Sequence, residues 1–156
     1  MNYARIIKAD LINGPGIGTS LFVSGCNFKC PGCYNEAAWD LNYGTKFTLD
    51  TLEEFLESID EDYIDHVSIL GGEPLLHAAE LTHILRIIKE FYPDKKVWLW
   101  TGFKFQGTIK RLEIFNYVDV VIDGTYKHGL PTTKLYRGSD NQRMFIKEEN
   151  KWVRLD

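Results

Sequence analysis

The sequence is most informative over one continuous stretch, Gly18-Thr-Ser-Leu-Phe-Val-Ser-Gly-Cys-Asn-Phe-Lys-Cys-Pro-Gly-Cys33. Its first six residues form an apolar run that predicts a strand. Its end carries all three cysteines of the chain, Cys26, Cys30 and Cys33. Three thiols therefore follow a strand on one short loop. A cubane iron–sulfur cluster normally takes four cysteines, so three would leave one iron open to another ligand.

Other uses of the cysteines stay open at this point. A Cys3His zinc site would need one of the four histidines, His66, His77, His83 or His128. A dithiol redox pair could use Cys30 and Cys33, although it gives no role to Cys26. The thiols could also be small buried hydrophobes. The ligand count and the spacing favour the iron–sulfur cluster over these alternatives.

Length, composition and charge limit the class of protein. With 156 residues, 44% hydrophobic and 26% charged, the chain is expected to fold as a single domain over residues 1–156. A formal net charge of −4 gives no support for a nucleic-acid-binding surface. No apolar run approaches the roughly 20 residues that a membrane span needs. The first residues also lack the apolar segment of a signal peptide, so we expect a cytoplasmic protein in which cysteines bind metal rather than pair.

The hydrophobic pattern predicts alternating strands and helices. Strands are expected over 4–9, 18–23, 66–70, 96–101 and 118–122, and helices over 48–59, 77–91 and 108–115, the first with Asp50 and Glu53 as its capping pair. The segments 144–147 and 151–155 predict a C-terminal β-hairpin. This alternation indicates an α/β fold with a mostly parallel sheet, and about five or six strands are too few to close an eight-unit barrel. We therefore expect a partial, open (βα) barrel.

Unusual residues fall at the carboxyl ends of these strands, where α/β sheets bind ligands. Gly71-Gly72-Glu73-Pro74 follows the strand over 66–70, and its glycines would let a ligand approach the backbone while Glu73 binds a cationic amine. Thr101 and Asp123 end the next two predicted strands. An ordinary turn is the alternative interpretation of each motif.

The spacing Cys26-x3-Cys30-x2-Cys33, followed at once by the aromatic Tyr34, resembles the signature of the radical S-adenosylmethionine (SAM) superfamily. The resemblance implies a full or partial α/β barrel that holds a 4Fe-4S cluster on the three cysteines. It also implies that SAM chelates the fourth iron and that an electron from the reduced cluster cleaves SAM to methionine and a 5′-deoxyadenosyl radical.

The same resemblance assigns SAM contacts to residues of this sequence. Gly32, Cys33 and Tyr34 would lie beside SAM, with Tyr34 near the adenine. Gly71, Gly72 and Glu73 match the strip that receives the SAM amino group. Thr101 would contact the ribose or the carboxylate.

A later segment resembles one subfamily. Arg137-Gly-Ser-Asp-Asn-Gln-Arg143 is similar to a string in the activating proteins of anaerobic ribonucleoside-triphosphate reductases, the T-even bacteriophage members included. That resemblance implies a protein substrate, the large subunit of the reductase, on which a glycyl radical is formed within a hetero-oligomer. It also implies a flavodoxin-like electron donor. Activation of a pyruvate formate-lyase type of enzyme is the alternative within this class, and a non-catalytic iron–sulfur or zinc module is the alternative outside it.

Overall fold

The computed structural model describes residues 1–155, which form one eight-stranded sheet with helices. The strands are β1 (Asn2–Asp10), β2 (Gly18–Val23), β3 (Thr45–Lys46), β4 (His66–Gly71), β5 (Lys96–Thr101), β6 (Val120–Asp123), β7 (Arg143–Glu148) and β8 (Lys151–Leu155). The α-helices are α1 (Leu49–Ile59), α2 (Ala78–Phe91) and α3 (Gly107–Lys110), and short 3-10 helices cover Glu36–Trp39, Pro74–His77 and Glu113–Tyr117.

The sheet is mixed, with the order β3-β1-β2-β4-β5-β6-β7-β8. Strands β2, β4, β5 and β6 run parallel, while β1, β3, β7 and β8 pair antiparallel with their neighbours. The α/β class and the C-terminal hairpin are confirmed, but the expected mostly parallel sheet is wrong. The connection from Asp10 to Gly18 is shorter than the dozen or so residues of a parallel crossover, so β1 has to pair antiparallel with β2. Within residues 1–155 the edge strands β3 and β8 do not pair, and the sheet stays open.

The two faces of the sheet have different roles. Alternate residues of β5 point to opposite faces, as the strand period requires. Val97 and Leu99 join the large core in which α1 and α2 cover one face, whereas Trp98 and Trp100 belong to a smaller apolar cluster with Tyr136. Trp100 also lines a cavity on that second face. The helices therefore close one side of the sheet and leave the other for a site.

Local chemistry explains the start of α1 and the turn of the C-terminal hairpin. Thr48 caps α1 through a reciprocal capping box with Thr51, so the prediction of Asp50 and Glu53 as the capping pair is wrong. The predicted helix over 108–115 is divided between α3 and the 3-10 helix Glu113–Tyr117. The hairpin turn places Glu149 and Asn150 at positive φ, the geometry of a two-residue turn that matches strand twist. In the described part of the chain no helix has both the length and the apolar character to cross a membrane.

Candidate functional site

The cysteine loop, residues 26–33, leaves the end of β2 and is tied to the 3-10 helix behind it. The Gly25 N–H donates to the Ala38 carbonyl at 2.7 Å, and the Cys26 N–H donates to the Trp39 carbonyl at 3.1 Å. Inside the loop the Cys33 N–H donates to the Cys30 carbonyl at 3.1 Å, which closes a tight turn. These backbone bonds anchor the start of the ligand-bearing segment and shape the turn at its end.

The three thiols line one wall of a single cavity of about 580 Å³. All three cysteines are half-buried and none is in a disulfide. Burial raises the pKa of the Cys30 thiol, the Tyr126 N–H lowers it in part, and the charges of Cys26 and Cys33 raise it further. The thiols therefore repel one another when ionised, and a cationic group bound to all three would stabilise the charged forms.

The strand-end edge, residues 71–73 and 101–102, lies against the start of the cysteine loop. Gly71 has a φ of 127°, and a Cβ there would lie 2.4 Å from the Val23 backbone nitrogen. The Gly72 N–H donates to the Val23 carbonyl at 3.0 Å, and the Glu73 N–H donates to the Gly25 carbonyl at 2.7 Å. Only glycine at these positions lets β4 pass this close to the segment that leads into the cysteines.

The Glu73 carboxylate is 1% exposed and accepts three hydrogen bonds. Its donors are the Leu75 N–H at 2.9 Å, the Thr101 hydroxyl at 2.7 Å and the Gly102 N–H at 2.6 Å. Burial raises the pKa of this carboxyl, and the three donors lower it in part. Glu73 thus joins the ends of β4 and β5 with both of its oxygens engaged.

The cavity brings together the site residues that the sequence singled out. Its lining includes Cys26, Cys30, Cys33, Tyr34, Gly71, Gly72, Glu73 and Thr101. Of the described residues predicted to contact SAM, Gly32 alone is outside the lining. Gly32 has a φ of 74°, and a Cβ there would lie 2.9 Å from the His128 ring, so glycine is needed for the loop to pack.

Sequence reasoning missed the opposite end of the cavity, where Asp10, Ile12 and Asn13 line the wall. Asp10 is buried, yet its pKa is lowered, because donors from Ser20, Asn13 and the Ile12 N–H outweigh the effect of burial. These residues lie at or near the carboxyl end of β1. Because β1 runs antiparallel to β2, that end lies opposite the cysteines. The sequence did not predict this strand direction, so these residues were not assigned to the site.

The segment 137–143 folds back onto the end of β6. The Gln142 side chain accepts from the Gly138 N–H at 2.6 Å and donates to the Gly124 carbonyl at 2.9 Å. Arg143 binds the buried Asp123 carboxylate through Nε at 3.0 Å and Nη2 at 2.6 Å. Arg137, Gly138 and Gln142 also line the cavity. This segment therefore forms a structured wall rather than a solvated loop.

Comparisons with known proteins agree with this geometry. Residues 12–145 match the family described as a 4Fe-4S single cluster domain. A protein of bacteriophage T4 named anaerobic ribonucleoside-triphosphate reductase-activating protein is 45% identical, covering 97% of this chain and 98% of its own. Proteins of the same name from Escherichia coli K12 and Vibrio cholerae are 34% and 35% identical, each covering 91% of this chain and 96% of its own.

The chain belongs to this family of activating proteins. Its resident cofactor is a 4Fe-4S cluster, which activating proteins of this type use together with SAM. The residues present fit that group, since three thiols share one wall of a cavity and their charges act on one another. Among residues 1–155 no set of three His, Cys, Asp or Glu side chains is grouped tightly enough to hold a single metal ion. In a cubane, by contrast, each cysteine binds a different iron.

Proposed function

We propose that this chain is a radical-SAM activating enzyme that forms a glycyl radical on an anaerobic ribonucleoside-triphosphate reductase. The observation that carries the proposal is the convergence of Cys26, Cys30 and Cys33 with Gly71–Glu73 and Thr101 on one cavity. The reductase as partner is supported by the names of the relatives, which align with this chain over nearly its whole length.

Each part of the wall has a proposed task. Cys26, Cys30 and Cys33 hold the cluster, and Gly71 and Gly72 offer a close backbone approach to the SAM amino group. Glu73 adds negative charge behind that strip and keeps the ends of β4 and β5 together through Thr101 and Gly102.

Two further SAM contacts are proposed, one with the ring of Tyr34 and one with Thr101. The Tyr34 ring is 81% exposed, and its centroid lies 5.3 Å from that of Tyr126, so the two form an aromatic surface beside the cysteine loop for the adenine. Thr101 is 4% exposed at the end of β5, where its hydroxyl donates to Glu73. We assign it to the ribose or carboxylate of SAM.

When bound, the reduced cluster supplies an electron to SAM, and the cleaved carbon–sulfur bond yields methionine and a radical able to take a hydrogen atom from a glycine. The protein binds and orients SAM and excludes water from the cavity. Phe28 of the cysteine loop packs edge to face on Phe103 with centroids 4.8 Å apart, and Phe28 lines the cavity with Trp100. Hydrogen-atom transfer needs no general acid or base, so the roles of these residues are shape and shielding.

The finer architecture and the assembly belong to the same proposal. The open sheet around a one-sided cavity is, on this view, a partial barrel of the radical-SAM type formed by a single domain over residues 1–156. Residue 156 lies outside the described residues. We propose a cytoplasmic protein that forms a hetero-oligomer with the large subunit of the reductase and receives its electron from a flavodoxin-like protein.

Anaerobic reconstitution tests the function. The protein is loaded with iron and sulfide, reduced, and mixed with SAM, and 5′-deoxyadenosine is measured by chromatography. We expect cleavage of SAM and, with the reductase present, a glycyl-radical signal by electron paramagnetic resonance. Absence of 5′-deoxyadenosine from a reduced, fully loaded protein would overturn the proposal. A radical on a pyruvate formate-lyase but none on the reductase would correct the partner.

A further inference from the structure

The cysteine loop has an inner and an outer face. Its three thiols line the cavity, whereas Lys29, Pro31 and Gly32 are exposed and lie outside the cavity lining. A second protein can therefore reach this outer face without entering the cavity. On that side, exposed residues of the loop itself would lie between a bound cluster and the solvent.

One segment that flanks the outer face comes directly after the end of β6. The Tyr126 N–H approaches the Cys30 thiol and lowers its pKa in part. The His128 ring lies against Gly32, where a Cβ would be 2.9 Å from the ring Nδ1. Lys127 stands between these two contact residues in the sequence and is exposed. Its position next to the loop is therefore set by contacts on both sides.

The second flanking segment comes directly after the end of β5. Phe28 of the loop packs on Phe103 with ring centroids 4.8 Å apart, and a Cβ at Gly102 would lie 2.6 Å from the Phe28 ring. The exposed Lys104 follows Phe103, and the exposed Lys29 follows Phe28. The aromatic contact therefore brings these two lysines to neighbouring parts of the surface.

This surface is basic although the whole chain is acidic. The segments 26–34, 101–110 and 124–134 contain five lysines and neither Asp nor Glu, while the chain has 22 acidic and 18 basic residues. The exposed lysine next to each contact described above forms no ion pair with another described residue. The rings of Phe28 and Phe103 are packed on each other and are not strongly exposed. The surface therefore offers positive charge rather than apolar area.

We propose that Lys29, Lys104 and Lys127, here called the basic outer face, dock the protein that delivers the electron, a one-electron carrier with an acidic surface. This inference rests on the proposed function and gives the flavodoxin-like donor its place on the chain. The donor's reduced flavin loses one electron and the cluster gains it, and no covalent bond forms or breaks.

The character of the basic outer face favours an electron carrier over the reductase. Encounters between redox proteins are brief and use small interfaces, and charge complementarity speeds such association more than it strengthens it. A stable hetero-oligomer needs a larger interface with an apolar centre. Unpaired lysines around packed aromatic rings meet the first requirement and not the second.

Charge-neutralised variants test the docking surface. Lys104→Gln and Lys127→Gln are combined, and Lys29 is left unchanged because it lies between two cluster ligands. The control Lys151→Gln removes an exposed lysine that pairs in register with Glu148, at the end of the sheet away from the cysteines. Cluster reduction without SAM is followed by absorbance with two reductants. One is photoreduced flavodoxin, and the other is photoreduced deazaflavin, a small molecule that needs no docking surface.

We expect flavodoxin to reduce the double variant about tenfold more slowly than the wild type at low salt, because electrostatic attraction raises association rates by about 10-fold or more. Added salt should slow the wild type and change the double variant little. Reduction by deazaflavin, and reduction of Lys151→Gln by either reductant, should stay within about twofold of the wild type.

Three results would overturn the proposal. One is a double variant that flavodoxin reduces like Lys151→Gln at every salt concentration, and another is a wild type that deazaflavin reduces and flavodoxin does not. The third is a double variant that loses binding to the reductase while flavodoxin still reduces it normally, which would assign this face to the reductase. A protein that flavodoxin reduces through this face but that cleaves no SAM would reject the proposed function and support the docking surface.

Discussion

The cysteine loop and the strand-end edge form two walls of one cavity, yet they are held in different ways. At the edge, Glu73 is 1% exposed, Thr101 is 4% exposed, and both Glu73 oxygens accept hydrogen bonds from the chain. In the loop, the three cysteines are half-buried, and Cys30 is surrounded by like charges when all are ionised.

The contrast indicates which wall depends on the cofactor. Polar groups at the strand-end edge form their hydrogen bonds within the protein, so this wall is organised before any ligand binds. The thiols of the loop gain their strongest interactions from the cluster, because metal binding removes their protons and neutralises their repulsion. The strand-end edge is therefore held in place without a ligand, whereas the cysteine loop is stabilised by the bound cluster.

Loss of one cysteine ligand should give the largest effect, on cluster binding and activity but not on the stability of the cluster-free protein. Cys30→Ala should abolish both cluster retention and SAM cleavage, because two thiolates cannot hold the cubane at this loop. Iron and sulfide analysis, with chromatography for 5′-deoxyadenosine, measures the loss. The denaturation midpoint of the cluster-free variant should match that of the cluster-free wild type. Retained cluster and cleavage in Cys30→Ala would show that the ligand set is wrongly assigned.

Next in size is the ion pair between the buried Asp123 and the part-buried Arg143, which holds the end of β6 beside the edge. Asp123 is 1% exposed in this pair, and it also accepts from the Phe105 N–H at 2.6 Å. Arg143→Ala would leave its carboxylate buried without a counter-charge, so we expect a loss of about 3–5 kcal/mol in unfolding free energy. Denaturant unfolding of the cluster-free protein measures it.

The matched control is Lys134→Ala, which removes an exposed pair with Asp140 that spans 3.7 Å. Exposed pairs contribute about 0–1 kcal/mol, so this change should be small. Equal losses of unfolding free energy in the two variants would show that the Asp123 pair stabilises the protein no more than an exposed ion pair does.

These two walls also show what the sequence could and could not predict. Cysteine spacing and strand ends are local patterns, so Cys26, Cys30, Cys33, Gly71 and Glu73 could be placed at one edge before the fold was known. The bonding of Glu73 to Thr101 and Gly102 joins positions 28 and 29 residues apart and is set by strand pairing. The sequence pattern within a single segment cannot predict which strands pair.

The residues at the far end of the cavity were not predicted because their position depends on the direction of β1. Strand β1 was predicted, over 4–9, but its direction was not, and the antiparallel pairing carries Asp10 and Ile12 to the end opposite the cysteines. Strand β3 was missed because two residues give no measurable period. Strand direction, more than strand existence, decided which residues could be assigned to the site.

A smaller effect is expected when Glu73 loses its charge but keeps its shape. In Glu73→Gln the new amide group faces a backbone or hydroxyl donor, so one buried hydrogen bond is lost and a donor is left unpaired. We expect a loss of about 1–3 kcal/mol in unfolding free energy and lower SAM cleavage. Glu54→Gln on the exposed face of α1 is the control and should change neither.

The pH dependence of this variant has a defined sign. Burial raises the pKa of Glu73 above its ordinary value of 4.5. Below pH 4.5 both folded and unfolded carboxyls are protonated, and as the pH rises the unfolded carboxyl ionises first, which favours unfolding. The stability deficit of Glu73→Gln relative to wild type should therefore be largest well below pH 4.5 and shrink as the pH rises through the raised pKa of Glu73 in the folded protein. A deficit that grows with pH would mean that the edge holds Glu73 as a stabilised anion.

The smallest predicted effect isolates a single hydroxyl of the edge. Thr101 donates to Glu73 at 2.7 Å and accepts from the Phe103 N–H at 3.1 Å. Thr101→Val keeps the shape but removes both bonds, so we expect a loss of about 1 kcal/mol and a severalfold lower rate of SAM cleavage. Thr101→Ser keeps the hydroxyl and should restore most of the rate. If Val and Ser behave alike in SAM cleavage, the hydroxyl does not position the edge. The rigidity of this wall would then rest on the Gly102 N–H and the Leu75 N–H, which hold Glu73 without help from a side chain.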